Sequence, residues 1–212
     1  MNMELVNTLT HLMVGAGHRI FQVHRFANSE YEHIKRLEKW ADFPLNAKVI
    51  DMGCGVGHQA KLFNQFRPDL SFCLVNISQV QLDYADQDYP AHCCDFCDVP
   101  EEDQSFDAAM FCFSIGHANH AKAIVEAKRL LKLGGVLFIY DMVRVSGSNA
   151  AMIDVDYAVY DKEFMVKVAS GFALDFYMEP SDSGQYGREI LGDGFNTVFQ
   201  GTIPAIWRFT KC

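Results

Sequence analysis

Short apolar runs alternate with amphipathic stretches along most of the chain. The apolar runs predict strands at residues 48–52, 71–77, 92–96, 106–113, 136–140, 172–178 and 203–210. Apolar residues at helical spacing predict helices over residues 58–66, 79–85, 118–132 and 161–169. Strands that alternate with helices favour an α/β fold with a mostly parallel sheet and helices on both faces. The last two strands are predicted to pair in antiparallel fashion at the sheet edge.

The length of 212 residues fits one domain. Within it, residues 1–46 are predicted to form an N-terminal helical cap, with one or two helices over residues 20–40. Residues 47–141 would form the core, and residues 142–212 would supply irregular lid segments and the last strands. The pair Gly134-Gly135 is predicted to close the helix before the fifth strand with a left-handed C-cap.

The formal charge of −9 predicts an acidic surface. Because binding to nucleic-acid phosphates needs basic patches, the charge argues against DNA or RNA as the main partner. No apolar run is long enough to cross a bilayer, and no signal peptide is visible, so the sequence predicts a cytoplasmic protein without membrane insertion.

The seven cysteines lie mostly in or beside strand-like runs, as reduced core thiols of a cytosolic protein do. Cys94 and Cys97 form a C-x-x-C motif, but no second ligand pair stands at a useful spacing. We therefore predict no metal site.

The sharpest local signal is a glycine loop after the first strand. Val49 to Gly57 reads V-I-D-M-G-C-G-V-G, and a predicted helix begins directly afterwards. Glycines allow a ligand to approach the backbone closely, and the free N–H groups of a helix N-terminus favour a polar ligand. The dinucleotide fingerprint G-x-G-x-x-G would need glycine where His58 stands, and the Walker lysine is absent. The spacing thus disfavours NAD, FAD and ATP.

The loop resembles motif I of the class I S-adenosylmethionine-dependent methyltransferases. Three further stretches agree in order and spacing: Leu74 to Leu82, Cys94 to Asp107, and Leu130 to Gly135 with the strand that follows. The pattern Asn-x-Ser-x-x-Gln at residues 76–81 is similar to the sterol, tocopherol, terpenoid and sugar methyltransferase group. The resemblance implies a Rossmann-like, seven-stranded, mostly parallel sheet with an antiparallel last strand.

The resemblance also implies a binding site for S-adenosyl-L-methionine. Glycines of the loop would wrap its methionine part, Asp51 would orient the loop or the amino group, Asn76 and Gln81 would contact the ribose, and Asp95 would accept the adenine amino group. Phe96 would flank the adenine. The implied cofactor-binding set is Asp51, Gly53, Cys54, Gly55, Gly57, Asn76, Ile77, Gln81, Asp95, Phe96, Phe111 and Phe113.

Two histidines follow the fourth strand, where the methyl group is expected. The resemblance assigns His117 the role of base or acceptor-orienting group, and His120 is a second catalytic candidate. Carbon-methylating members often carry Glu where Phe113 stands here, which counts against a sterol-type mechanism. Aromatic residues of the lid segments would line the acceptor pocket: Tyr157, Tyr160, Phe164, Phe195 and Phe199.

The sequence therefore predicts in-line transfer of a methyl group to a small-molecule acceptor at a hydroxyl, amine or nucleophilic carbon. The predicted partners are that acceptor and, as a possible homodimer, a second copy of the chain, with no nucleic acid. Two alternatives stay open: a cofactor-binding regulatory or scaffold protein without transfer activity, and a protein methyltransferase.

Overall fold

The computed structural model describes residues 2–22, 25–27, 29–146, 157–180 and 201–212. Within them, one sheet contains strands β1 (Lys48–Met52), β2 (Ser71–Asn76), β3 (Ala91–Cys93), β4 (Phe106–Cys112), β5 (Leu131–Arg144), β6 (Phe172–Met178) and β7 (Thr202–Lys211). The helices are α1 (Met3–Gly15), α2 (Glu30–Ala41), α3 (His58–Phe66), α4 (Gln79–Leu82), α5 (His120–Leu130) and α6 (Lys162–Val168). A short 3₁₀ helix, Ile115–His117, follows β4.

The strand order is β3-β2-β1-β4-β5-β7-β6. Strands β1 to β5 are parallel, whereas β7 is antiparallel to both β5 and β6. The chain winds outwards from β1 to β3 and then returns to place β4 on the other side of β1. This reversal opens a crevice at the carboxyl ends of β1 and β4, where open α/β sheets bind their ligands. The predicted fold class is confirmed.

Alternate residues of the central strands feed two apolar layers, one on each face of the sheet. Val49 of β1 packs in the layer that holds α2 and α3, and its neighbour Ile50 packs in the layer that holds α5 and α6. In β4, Met110 and Phe111 divide in the same way. Because the central strands are buried on both faces, they read as unbroken apolar runs.

The glycine pair after α5 has a different role from the predicted one. The helix ends at Leu130, and Leu131 is already extended and opens β5. Gly134 has a φ of 76° and lies with Gly135 in the stretch where the pairing of β5 with β4 shifts register. The prediction of a glycine C-cap was wrong, because β5 begins its pairing with Phe106 before the glycines.

The N-terminal cap contains two helices, but the first, α1, lies before the predicted region, and residues 20–27 are not helical where described. Thr10 of α1 accepts a hydrogen bond from Gln81 at 2.9 Å, and Asn7 accepts one from Ser78 at 2.8 Å. These contacts dock α1 on α4. Gln22, from the segment between the two helices, accepts a hydrogen bond from buried His33 at 2.7 Å.

The predicted lid falls largely outside the described residues, which omit 147–156 and 181–200 together with Phe195 and Phe199. Tyr160 and Phe164, also predicted for the lid, stack with ring centroids 4.1 Å apart at the start of α6. None of the described helices combines the length and apolar character that a membrane crossing requires.

Candidate active site

Two glycines of the loop between β1 and α3 serve different physical needs. Gly53 has a φ of 92°, and a Cβ there would lie 2.4 Å from the Cβ of Ser114, just after β4. Gly55 has a φ of 57°, and a Cβ there would meet no atom within 4 Å. Gly53 therefore lets the loop approach the end of β4, whereas Gly55 borders open space.

That space is a cavity of about 650 Å³ at the carboxyl ends of the central strands. The structure brings eleven predicted site residues to its wall: Asp51, Gly53, Cys54, Gly55, Asn76, Ile77, Gln81, Asp95, Phe96, Phe113 and His117. Residues from three of the sequence motifs and from the segment after β4 thus meet in one crevice.

Asp51 places a carboxyl group at the buried floor of the cavity. The residue is 2% exposed, and its Oδ2 has no hydrogen-bond partner among the described residues. Burial raises the pKa of Asp51 to about 8, because a low-dielectric environment disfavours the charged carboxylate. A cationic group bound beside Asp51 would stabilise its charged form. The position suits the ammonium group of an amino-acid ligand.

Asn76 and Gln81 form a polar bridge from the glycine loop to the cap. The amide of Asn76 donates to the Gly55 carbonyl at 3.0 Å and to Gln81 Oε1 at 2.6 Å. Gln81 in turn donates to Thr10 of α1 at 2.9 Å. Both amides line the cavity, and both can donate to or accept from the hydroxyl groups of a ligand.

Asp95 and Phe96 form the wall that follows β3. Asp95 is exposed, and its Oδ1 accepts a hydrogen bond from the Cys97 N–H at 2.8 Å. The ring of Phe96 packs edge-to-face on Phe111, with centroids 5.4 Å apart. This wall offers one apolar ring and one carboxylate acceptor, which is a suitable combination for a flat base with an amino group.

Phe113 is the first residue after β4 and lines the crevice. Its φ of 57° is rare for an aromatic residue. The Phe113 N–H donates to the Tyr140 carbonyl at 2.8 Å, and the two rings pack edge-to-face at 4.9 Å. Such backbone strain persists where the surroundings hold it, and it is concentrated at functional sites.

His117 ends the 3₁₀ helix and packs edge-to-face against Tyr157, with ring centroids 4.7 Å apart. The Tyr157 hydroxyl donates to the carboxylate of Asp141 in β5, and the Ala158 N–H donates to the Gly116 carbonyl at 2.7 Å. Burial raises the pKa of Asp141 to about 6, against the lowering effect of the Tyr157 hydrogen bond. These contacts fix the segment that presents His117 to the cavity.

Three predicted site residues do not reach the cavity wall. Gly57 caps α3 and faces Leu74, and Phe111 is fully buried behind Phe96. His120 packs on Tyr160 with ring centroids 4.6 Å apart, and burial lowers its pKa to about 4. The geometry therefore favours His117 over His120 as the histidine that meets a substrate.

Several cavity residues lie outside the motifs that sequence reasoning used. Gln22 and Gln59 share a hydrogen bond of 2.5 Å beside the cavity, and Arg19 also lines it. Ser114 joins the wall and donates to the Met52 carbonyl at 2.7 Å. The position of Ser114 directly after β4, at the carboxyl end of the strand, already indicated that it faces the chemistry. Gln22 and Arg19 reach the cavity through the fold of the cap.

Residues 50–139 match the family described as methyltransferase domain. Over this core, the chain matches the methyltransferase family that the glycine loop indicated. The predicted family, enzyme class and cofactor are thereby confirmed for that core.

The relatives carry two kinds of acceptor in their names. A 25S rRNA (adenine(645)-N(1))-methyltransferase of Schizosaccharomyces pombe is 32% identical over 97 residues, covering 46% of this chain and 28% of that protein. The sterol 24-C-methyltransferase erg6 of Aspergillus fumigatus is 31% identical over 137 residues, covering 57% and 36%. The chain thus spans about a third of the length of these relatives.

Solved structures share the fold across most of the chain. The [4+2]-cyclase SpnF superposes with a TM-score of 0.79 at 17% identity, covering 97% of this chain and 94% of that one. Geranyl diphosphate C-methyltransferase from Streptomyces coelicolor A3(2), in complex with S-adenosyl-L-homocysteine, gives a TM-score of 0.76 at 14% identity, covering 86% and 81%. At these identities the likeness concerns the fold.

One relative named as an rRNA methyltransferase and two named ribosomal RNA-processing protein 8, of Caenorhabditis elegans and Caenorhabditis briggsae, overturn one prediction. The exclusion of nucleic acid was expected from the acidic charge and the small-molecule acceptor from the family resemblance, and these relatives contradict that combination. Net charge is a sum over the whole surface, so it does not describe the few residues around one cavity. The predicted homodimer stays a prediction.

The residues present fit S-adenosylmethionine. The unpartnered Oδ2 of Asp51 suits its ammonium group, and the open face of Gly55 leaves room for its methionine part. Asn76 and Gln81 can bind its ribose hydroxyls, and Asp95 can accept from its adenine amino group.

The two glycines predict different responses to the same substitution. Gly53→Ala should lower the free energy of unfolding by about 2–4 kcal/mol, because the new Cβ overlaps Ser114 in a left-handed backbone. Gly55→Ala should cost about 1–2 kcal/mol, since only the backbone conformation is strained. Urea denaturation of both variants measures the difference, and equal losses would contradict this assignment.

Asp51→Asn should remove a pH-dependent part of the stability. The folded-state pKa lies above the ordinary value, so the wild type loses stability as pH rises from about 4 to about 8, by at most about 1.4 kcal/mol per unit. Denaturation at pH 6.5 to 8, above the pKa of Asp141, should show a flatter profile for the variant. The variant should also bind S-adenosylhomocysteine about tenfold more weakly. A profile parallel to that of the wild type would refute the role of Asp51.

Proposed function

We propose that the chain transfers the methyl group of S-adenosylmethionine to a nucleobase nitrogen of an RNA. The relatives named after ribosomal RNA support an RNA acceptor: one is an rRNA methyltransferase whose name gives N1 of adenine as the atom methylated, and another is named ribosomal RNA-processing protein 8. Because the chain spans about a third of those proteins, both the activity and the acceptor are inferences for this chain.

The aromatic lining of the cavity supports a flat, unpaired base as the acceptor. Phe21 and Phe113 line the wall together with His117. Proteins that read single-stranded RNA stack its bases on such rings, at about 1–3 kcal/mol per base. A base that has left its helix could therefore enter this crevice and present a ring or amino nitrogen.

The cavity wall holds two basic side chains, Arg19 and Lys122, beside the carboxyl groups of Asp51, Asp95 and Asp98. Residues 1–29 hold Glu4 as their one carboxylate beside two arginines and three histidines. Of the arginines, Arg19 lines the cavity and forms no ion pair with a described carboxylate. A cation on this wall suits the phosphates that flank an extruded base.

In the proposed reaction, the cofactor supplies an electrophilic methyl group on a sulfonium. Asp51, Asn76 and Gln81 would hold the cofactor so that this methyl group could pass in line to the nitrogen lone pair of the base, with the sulfur as the leaving group. Phe113 holds the plane of the base, and the fixed histidine His117 orients it by a hydrogen bond. If the acceptor is an exocyclic amine, His117 also takes the proton released after transfer.

We further propose that the protein works in a reducing compartment such as the cytoplasm. All seven cysteines are free thiols in the structure, and none pairs with another. Disulfides form in oxidising compartments, so free thiols agree with a reducing one.

Transfer of labelled methyl groups to RNA tests the function. With labelled S-adenosylmethionine and unmodified rRNA transcripts, the wild type should give acid-insoluble label that ribonuclease releases. His117→Ala should lower kcat by about 10²–10⁴-fold while S-adenosylhomocysteine binding stays within twofold. His120→Ala should lower kcat by less than tenfold, because His120 does not reach the cavity.

Gly55→Arg, whose side chain would fill the cofactor space, is the negative control that gives the background incorporation of label. Label that appears in protein or in small molecules of a cell extract, with none in RNA, would sink the proposed acceptor. Equal loss of rate in His117→Ala and His120→Ala would refute the assignment of His117.

A further inference from the structure

A second cluster of chemically reactive side chains lies away from the cavity. Cys73 of β2, His92 of β3 and Glu101 of the following loop place a thiol sulfur, an imidazole nitrogen and a carboxylate oxygen within 4.8 Å of one another. None of the three lines the cofactor cavity. The cluster is independent of the proposed function.

The strand register explains why these three side chains converge. His92 pairs with Val75, two residues beyond Cys73 on β2, so the thiol and the imidazole point to the same face of the sheet. Glu101 then reaches over that face from the loop after β3. Its Oε1 lies 2.9 Å from His92 Nε2 and 4.0 Å from Cys73 Sγ.

Glu101 Oε1 therefore lies close to both other potential ligand atoms, His92 Nε2 and Cys73 Sγ. The other oxygen, Oε2, lies 3.6 Å from the Lys48 ammonium. Lys48 can balance part of the charge of Glu101 while Oε1 stays directed at the sulfur and the nitrogen. Thiolate, imidazole and carboxylate are the three ligand types that zinc sites combine.

We propose that Cys73, His92 and Glu101 bind one divalent cation of the zinc type. Mg²⁺ and Ca²⁺ prefer all-oxygen sites, so the sulfur and nitrogen donors select against them. A tetrahedral zinc ion needs its ligand atoms roughly 3.3–3.6 Å apart. Small rotations would open the nitrogen–oxygen contact and close the sulfur–oxygen one.

The ligand types determine whether metal binding releases a proton. Cys73 would bind the cation as a thiolate, so the thiol proton is released when the metal binds. The affinity should therefore rise with pH.

The cation would act on the sheet rather than on the reaction. It would link β2, the edge strand β3 and the loop that carries Glu101. Strand β3 is short and pairs with β2 alone, so this edge has few backbone contacts of its own. A metal link there would stabilise the wall that ends in Asp95.

Metal binding to the full chain tests the proposal. Calorimetry with ZnCl₂ in two buffers of different ionisation enthalpy should give one ion per chain and one proton released. Cobalt should add a thiolate-to-metal charge-transfer band, and zinc should raise the melting temperature. Cys73→Ser and His92→Gln should each abolish the band or weaken zinc binding at least tenfold. In both variants, S-adenosylhomocysteine binding reports whether the fold is intact.

Cys94 and Cys97 provide the matched control, because they form the C-x-x-C motif that directly follows β3, the strand of His92. The double variant Cys94→Ser/Cys97→Ser should keep one zinc ion of unchanged affinity. The proposal is overturned if the wild type binds zinc with a Kd above 100 μM (about −5.5 kcal/mol). It is also overturned if only the double variant loses zinc binding, or if His92→Gln keeps the full zinc affinity.

Discussion

The close approach of the glycine loop to the end of β4 is the constraint on which the site depends. The backbone of Gly53 lies against Ser114, whose hydroxyl binds the Met52 carbonyl. This contact joins the carboxyl ends of β1 and β4 and turns Gly55 towards the open crevice. The buried carboxyl group of Asp51 and the strained residue Phe113 are both held at the wall of this crevice. A bulkier residue at Gly53 would separate the two strands.

Most of the fold was predictable because the signals are local. Buried parallel strands give unbroken apolar runs, and the glycine loop marks the passage from β1 to α3. The misplaced cap at Gly134-Gly135 shows the limit of local rules, since pairing of β5 with Phe106 ends the helix first. Helix α1 was missed because its apolar residues, such as Leu12, lie exposed rather than on a buried face.

The residues that sequence motifs contribute to the candidate site were predictable, whereas the residues that the N-terminal cap contributes were not. Eleven of the implied cofactor and catalytic residues meet at the cavity, since the resemblance fixes their strand ends. Gln22 and Arg19 arrive through tertiary packing of a segment without periodicity. The acidic charge misled for a related reason: a sum over the chain says little about one cavity, whose wall holds Arg19 and Lys122 as well as aspartates.

The central claim is that this crevice binds S-adenosylmethionine, and calorimetry with S-adenosylmethionine and S-adenosylhomocysteine tests it most directly. The wild type should bind both ligands with micromolar affinity. Gly55→Arg should abolish binding while its melting transition stays cooperative, because the arginine fills space that no other atom occupies. Absence of binding by the folded wild type, or unchanged binding by Gly55→Arg, would contradict the account.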